Sequence, residues 1–180
     1  MLIRYIFLAF LVISPSFALN PSHEYIITTA STGGTFYPVG VGMAKLLSLK
    51  PSNKTNIHFS AIASDGSLNN IRLLQKKEAH FALIQGLFGM MAWEGSHIYR
   101  NNAQKNLRSI SMLWQNVEHF IIYKEFASTG FVHDLKNLYG QSFSIAENDS
   151  GSKVSAEILM DTLGIEYTKM NLHYLGYNQS

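Results

Sequence analysis

The amino-acid sequence predicts an α/β protein built on a mostly parallel sheet. Three observations carry that expectation. Runs of β-branched and aromatic residues alternate with segments whose apolar residues recur at spacings of three and four. Three of the runs end in short loops that combine Gly with Ser or Thr and lead straight into a helical pattern. The chain of 180 residues is 47% apolar and 14% charged, enough to bury a core and too apolar for a disordered chain. Alternating β and α units pair as parallel strands joined by crossover helices.

The elements follow in order. Met1 to Ala18 has the three parts of a secretory signal: Arg4, the apolar run Tyr5 to Ile13, and Ser16-Phe17-Ala18 with small residues where a signal peptidase cuts. The run is well short of the roughly 20 residues that span a bilayer, so cleavage after Ala18 and a periplasmic location are expected. Tyr25 to Thr29 reads as a strand. Ala30 to Thr35 is a small-residue loop, and Phe36, Val39, Met43 and Leu46 give a helical stripe with Pro38 in its first turn. Pro51-Ser52-Asn53 closes that segment. Ile57 to Ile62 is the second strand. Ser64-Asp65-Gly66-Ser67 opens a helix with Leu68, Ile71 and Leu74 on one face and Ser67 as N-cap. His80 to Gln85 is a short buried strand, and Gly86 to Glu94 a helix stopped near Gly95.

Ser96 to Asn106 is polar and reads as a surface excursion. Arg108 to Trp114 and Glu118 to Tyr123 read as two strands in succession. Asp134 to Gly140 is a helical turn, Gln141 to Ala146 a strand, and Glu147 to Ser152 a third polar loop. Val154, Ile158, Leu159 and Leu163 form the last amphipathic helix, stopped by Gly164, and Tyr167 to Tyr177 holds one more strand.

In such sheets ligands bind beyond the carboxyl ends of the strands. Three loops lie there: Ser31 to Tyr37, Ser64 to Asn70, and Glu147 to Lys153. A helix start offers unpaired N–H groups and a positive dipole end, Gly admits a close approach, and hydroxyls donate without bulk. Converging, the three would suit a small anion, most simply a carboxylate. The alternative reading of each serine is a helix cap.

Other chemistries fail on residue content. With no Cys there is no disulfide, thiolate metal site or cysteine nucleophile. Fourteen Lys and Arg against 12 Asp and Glu give a net charge of only +2, and Lys76-Lys77 is the one adjacent basic pair, which argues against nucleic acid as a partner. Gly33-Gly34-Thr35 lacks the Lys of a P-loop, and Gly140-Gln141-Ser142-Phe143-Ser144 lacks the last Gly of a nucleophile elbow. No two His stand at the i, i+4 spacing of a helical zinc site, and Met90-Met91-Ala92-Trp93 reads as core packing. Neither a cofactor nor a metal is expected.

The motifs resemble those of a known family. Ser31-Thr32-Gly33-Gly34-Thr35-Phe36-Tyr37-Pro38-Val39-Gly40 is similar to the opening motif of the TAXI proteins, the TRAP-associated extracytoplasmic solute-binding subunits of bacterial transporters. Asp65 to Leu74 resembles their second motif and Ala79 to Gln85 their third. Trp114 to Tyr123 resembles the strand that leaves the first lobe, and Asp134 to Gly140 and Ser150-Gly151-Ser152 resemble motifs of the second. The resemblance runs from Tyr25 to Tyr177 in the family's order.

The resemblance implies a type II periplasmic-binding-protein fold, two α/β lobes that close on a solute and deliver it to TRAP-type membrane permease subunits. The solute would be a small anionic or zwitterionic molecule, a carboxylate or an amino acid such as glutamate. Residues 1–18 would be the signal, 19–117 lobe one, and 118–180 the crossover and an incomplete lobe two. Carried over residue by residue, Thr32, Gly33, Thr35 and Tyr37 would line the lobe-one wall. Ser64, Gly66, Ser67 and Asn70 would form the second loop and Gln85 the strand end. Glu118 and His119 would sit at the crossover, and Ser150, Gly151 and Ser152 would face them from lobe two.

Three departures stand out. Asp149 replaces a family Gly and would repel an anion unless it turns outward or pairs with Lys153. Gly86-Leu87 follow Gln85 where the family often has a polar residue. The family's chains also run well beyond 180 residues, so the sequence reads as a truncated or frameshifted member. Two rivals to solute binding are an exported surface protein without a ligand, and a secreted hydrolase using Ser150 or Ser152 with a His.

Overall fold

The computed structural model describes residues 22–49 and 56–180. The expected signal segment and the Pro51-Ser52-Asn53 closure lie outside the described residues.

Strand β1 (His23–Thr28) is the centre of a three-stranded parallel sheet ordered β2-β1-β3, with β2 at Ile57–Ile62 and β3 at Phe81–Ala82. His23 stands opposite Ile57 and Thr28 opposite Ile62, while Ile27 and Thr28 face Phe81 and Ala82. A second, two-stranded parallel sheet joins β4 (Ser142–Ser144) to β5 (Asn171–His173). Helices α1 (Phe36–Leu49), α2 (Ser67–Gln75), α3 (Gly86–Glu94) and α4 (Gly151–Thr162) provide the crossovers and packing. The architecture is mixed α/β with parallel sheets, as the alternation of patterns predicts.

Local chemistry explains the boundaries. Gly95 ends α3 in the left-handed conformation, φ 77°. Ser150 caps α4: its Oγ accepts the Lys153 N–H at 3.1 Å. The expected Ser67 cap is corrected. Gly66, at φ 118°, occupies the cap position of α2, and the Ser67 hydroxyl accepts the Gln85 N–H at 3.0 Å instead. The α1 stripe is corrected too. Gly40 and Ala44 are the buried residues of α1, Phe36, Val39 and Met43 are half-buried, and Leu46 is exposed. Small residues let α1 lie close on the sheet, with Gly40 against Thr29 and Leu83.

Two cores form. Ile71, Phe88, Met91, Ala92, Tyr99 and Val154 make one. Leu135, Leu138, Phe143, Ile145, Ala156, Met160, Ile165 and Met170 make the other. Helix α4 belongs to both: Val154 enters the first and Ala156 and Met160 the second, so this helix ties the halves together. Tyr99 also fills the first core from within the expected surface excursion.

The two strands expected at 108–114 and 118–123 do not form. Residues 107–123 have no regular secondary structure. Among the described residues no backbone–backbone hydrogen bond joins 108–122. Ile110 is 80% and Ile121 90% exposed. The β pattern is present, but a strand needs an edge to pair with, and β3 offers only two residues. Side chains anchor the stretch instead: Phe120 stacks on Phe143 with ring centroids 6.4 Å apart, Trp114 meets the Phe36 ring edge-on at 5.8 Å, and Ile122 packs on the second core.

Candidate functional site

The carboxyl ends of β1, β2 and β3 meet at one buried side chain, Asn70. Its Nδ2 donates to the Thr29 carbonyl at 2.5 Å and the Leu83 carbonyl at 2.7 Å. Its Oδ1 accepts the Thr28 and Ser64 hydroxyls, both at 2.6 Å. Every hydrogen-bonding group of the carboxamide is used, which is what makes a fully buried amide tolerable. Asn70 thereby fixes the loops that follow all three strands.

Beyond those loops lies a cleft of about 410 Å3, lined by Ser31, Thr32, Ala63, Ser64, Asp65, Glu147 and the segment Gly176 to Gln179. The Asn178 Nδ2 donates to Thr32 Oγ1 at 3.2 Å, and Asn178 and Tyr177 lie against Gly33 and Gly34. The chain's last turn therefore forms one wall. Burial, and then the Asp65 charge, push the Glu147 carboxyl above the ordinary range.

The starts of α2 and α4 meet beside the cleft and pack on each other. Gly66 abuts Ser150, and Gly151 abuts the Gln85 and Phe88 side chains. Gly66, Ser67, Ser150 and Gly151 are all buried there. The Ser150 hydroxyl donates to the Glu147 carbonyl at 2.7 Å. Arg72 of α2 pairs with Asp149, and Lys153 pairs with Glu157 at 2.8 Å. Asp149 therefore meets a cation from the other half, not Lys153. Burial raises the nearby Tyr99 phenol above its usual range, Arg72 opposing and Asp149 adding to the rise.

Of the residues expected to contact a ligand, the cleft takes Thr32 and Ser64. Gly33 sits behind it under Asn178. Gly66, Ser67, Ser150 and Gly151 form the helix seam, Asn70 the buried hub, and Gln85 the support beneath Gly151. Thr35 is exposed and Tyr37 half-buried, both away from the cleft lining. Ser152 is half-buried on α4, and its carbonyl accepts the Ser155 hydroxyl at 3.2 Å. Glu118 and His119 are exposed, with Glu118 accepting the Ser155 hydroxyl at 2.7 Å. The three loops converge as expected, but two of the helix starts face protein rather than a common void.

Asp65, Glu147, Ser31 and the Gly176 to Gln179 wall line the cleft but are not among the residues the sequence leads one to expect as ligand contacts. Asp65 and Glu147 stand inside two of the loops that the sequence singles out. Their charge is the opposite of what an anion requires, so the loops pointed to the place but not to these two side chains.

A cleft at the carboxyl ends of parallel strands, held open by a saturated polar hub, defines a small-molecule-binding α/β protein. The chain belongs to the NMT1-like family, whose model matches residues 27–180. That family is periplasmic solute-binding-like, so a small-molecule ligand is its implied partner.

Proposed function

We propose that this is an extracytoplasmic solute-binding protein of the TAXI type. It captures a small carboxylate or an amino acid such as glutamate and passes it to TRAP-type permease subunits. The observation that carries the reading is the cleft of about 410 Å3 where the loops after β1 and β2 meet Glu147. That volume suits a small solute rather than a polymer. Two lobes of a type II periplasmic-binding fold account for the two sheets and two cores, with α4 spanning both.

A binding role rather than a hydrolytic one is supported by the seam serines. The Ser150 hydroxyl donates to a carbonyl and caps a helix, and no His shares a hydrogen bond with Ser150 or Ser152 among the described residues. Export completes the proposal: protein recovered from the periplasmic fraction should begin at Leu19 on N-terminal sequencing. Thermal denaturation with L-glutamate, glutarate, L-aspartate and succinate tests the binding. A solute at a hundredfold excess over its Kd adds about 2.7 kcal/mol to stability. A folded sample whose Tm moves with none of them refutes the proposal.

A further inference from the structure

We infer that the cleft selects a solute carrying a protonated amine, read by Asp65 and Glu147; the inference rests on the solute-binding reading above. The hydrogen-bonding polarity of the cleft as a whole carries it. Asp65 and Glu147 are its charged lining, and no Lys, Arg or His lines it among the described residues. The one cation of α2, Arg72, is paired with Asp149, and the one cation of α4, Lys153, with Glu157. Neither neighbouring helix has a free cation left to neutralise the cleft.

The neutral groups follow the same polarity. The Ser64 hydroxyl hydrogen is directed inward, to Asn70 Oδ1 at 2.6 Å or the Thr29 carbonyl at 3.1 Å. The Ser64 oxygen also accepts the Gly66 N–H at 3.1 Å, so it shows the cleft no donor and at most its remaining lone pair, beside the Asp65 and Glu147 carboxylates. At the other end, Thr32 Oγ1 already accepts from Asn178, which leaves its hydrogen free to donate. The cleft thus has an acceptor end at Ser64, Asp65 and Glu147 and a donor end at Thr32.

A dicarboxylate entering the acceptor end would bring a further negative charge beside the Asp65 and Glu147 carboxylates, with no lining cation among the described residues to offset it. An ammonium group there supplies donors and the missing positive charge, as in charge-assisted hydrogen bonds. The solute's own carboxylate, where it has one, is left to the Thr32 end. An amino acid fits the two ends together; the matching acid without the amine does not.

Calorimetric titration of the full chain tests this with matched probes: L-glutamate against glutarate, L-aspartate against succinate, and putrescine as an amine without a carboxylate. The amine-bearing member of a pair should bind at least tenfold more tightly. Asp65→Asn and Glu147→Gln should each shrink that preference at least tenfold, with Tm recorded to show that each variant folds. Two results overturn the inference and leave solute binding standing. One is a deaminated acid that binds as tightly as its amino acid; the other is an unchanged preference in the double variant. If no probe binds folded protein, the solute-binding reading falls and this inference falls with it.

Discussion

The loops before α2 and α4 lie side by side, and each divides in the same way. The inner residues Gly66, Ser67, Ser150 and Gly151 are buried where the two helix starts touch. The outer residues Ser64, Asp65 and Glu147 face the cleft. A Gly-Ser helix start can serve either a ligand or another helix, because both need close approach to exposed N–H groups. Here the second use wins for the inner residues. At the start of α4 the Lys153 N–H is met by the Ser150 hydroxyl, and recognition passes to the side chains just outside the seam.

Breaking the hub beneath both loops should have the largest effect. Asn70→Ala removes the partner of four groups: the Thr28 and Ser64 hydroxyls and the Thr29 and Leu83 carbonyls. Orphaned buried polar groups cost roughly 1–3 kcal/mol each before relaxation and water entry. The expected loss is about 3 kcal/mol in urea denaturation, with solute binding weakened because Ser64 is released. Stability within about 1 kcal/mol of the parent would show that the loops hold their positions without the hub.

The seam comes next. A Cβ on Gly151 would lie 2.6 Å from the Gln85 Oε1 and 2.8 Å from the Phe88 ring, so Gly151→Val must push α4 off its neighbours. Overpacking of this kind costs about 2 kcal/mol. The Gln85 carboxamide can swing aside; the fully buried Phe88 ring cannot do so cheaply. A variant as stable as the parent would mean that the start of α4 is not held against Gln85 and α3 in solution.

The same contrast explains what the sequence could and could not disclose. β1, β2, α2 and α3 were legible because each combines its own period with a local stop, such as Gly95 after α3. The stretch 108–123 carries the same β signal and forms no strand, because pairing is supplied by a neighbour and not by the residues themselves. The convergence of the three loops was legible from their place after strands. Which residues of each loop face the cleft was not. Ser64 and Ser67 are the same residue type three positions apart, and only the tertiary partner separates them: Ser64 lines the cleft, while the buried Ser67 hydroxyl is taken by the Gln85 N–H. Asp65 and Glu147 were hidden by the expectation of an anion.

Acid separates the seam from the second half's own anchor, Asp134. Burial favours its neutral form, but the N–H groups of Thr129 and Gly130 and the Thr129 and Ser128 hydroxyls outweigh it, lowering its pKa to about 2. All four donors lie within 2.9 Å of the carboxylate oxygens. The folded value sits below the unfolded one of about 3.9. The stabilisation is therefore present above about pH 4 and is lost as pH falls toward about 2. Urea midpoints should fall over that interval in the parent, and Asp134→Asn should flatten the slope there. An equally steep slope in the variant would place the acid sensitivity elsewhere.

The smallest effect tests whether charge or packing holds the seam. Arg72 and Asp149 bridge the two halves, but their side chains are 46% and 40% exposed. Solvent screening at such sites reduces an ion pair to about 0–1 kcal/mol, and salt reduces it further. Arg72→Ala should therefore cost less than about 1 kcal/mol, and less again at high salt, while Gly151→Val keeps its full cost in salt. If Arg72→Ala proved the more damaging of the two, the glycine contact would be a consequence of the ion pair rather than its setting. The close approach of Gly66 to Ser150 argues the other way, since that fit depends on backbone shape at φ 118° and not on charge.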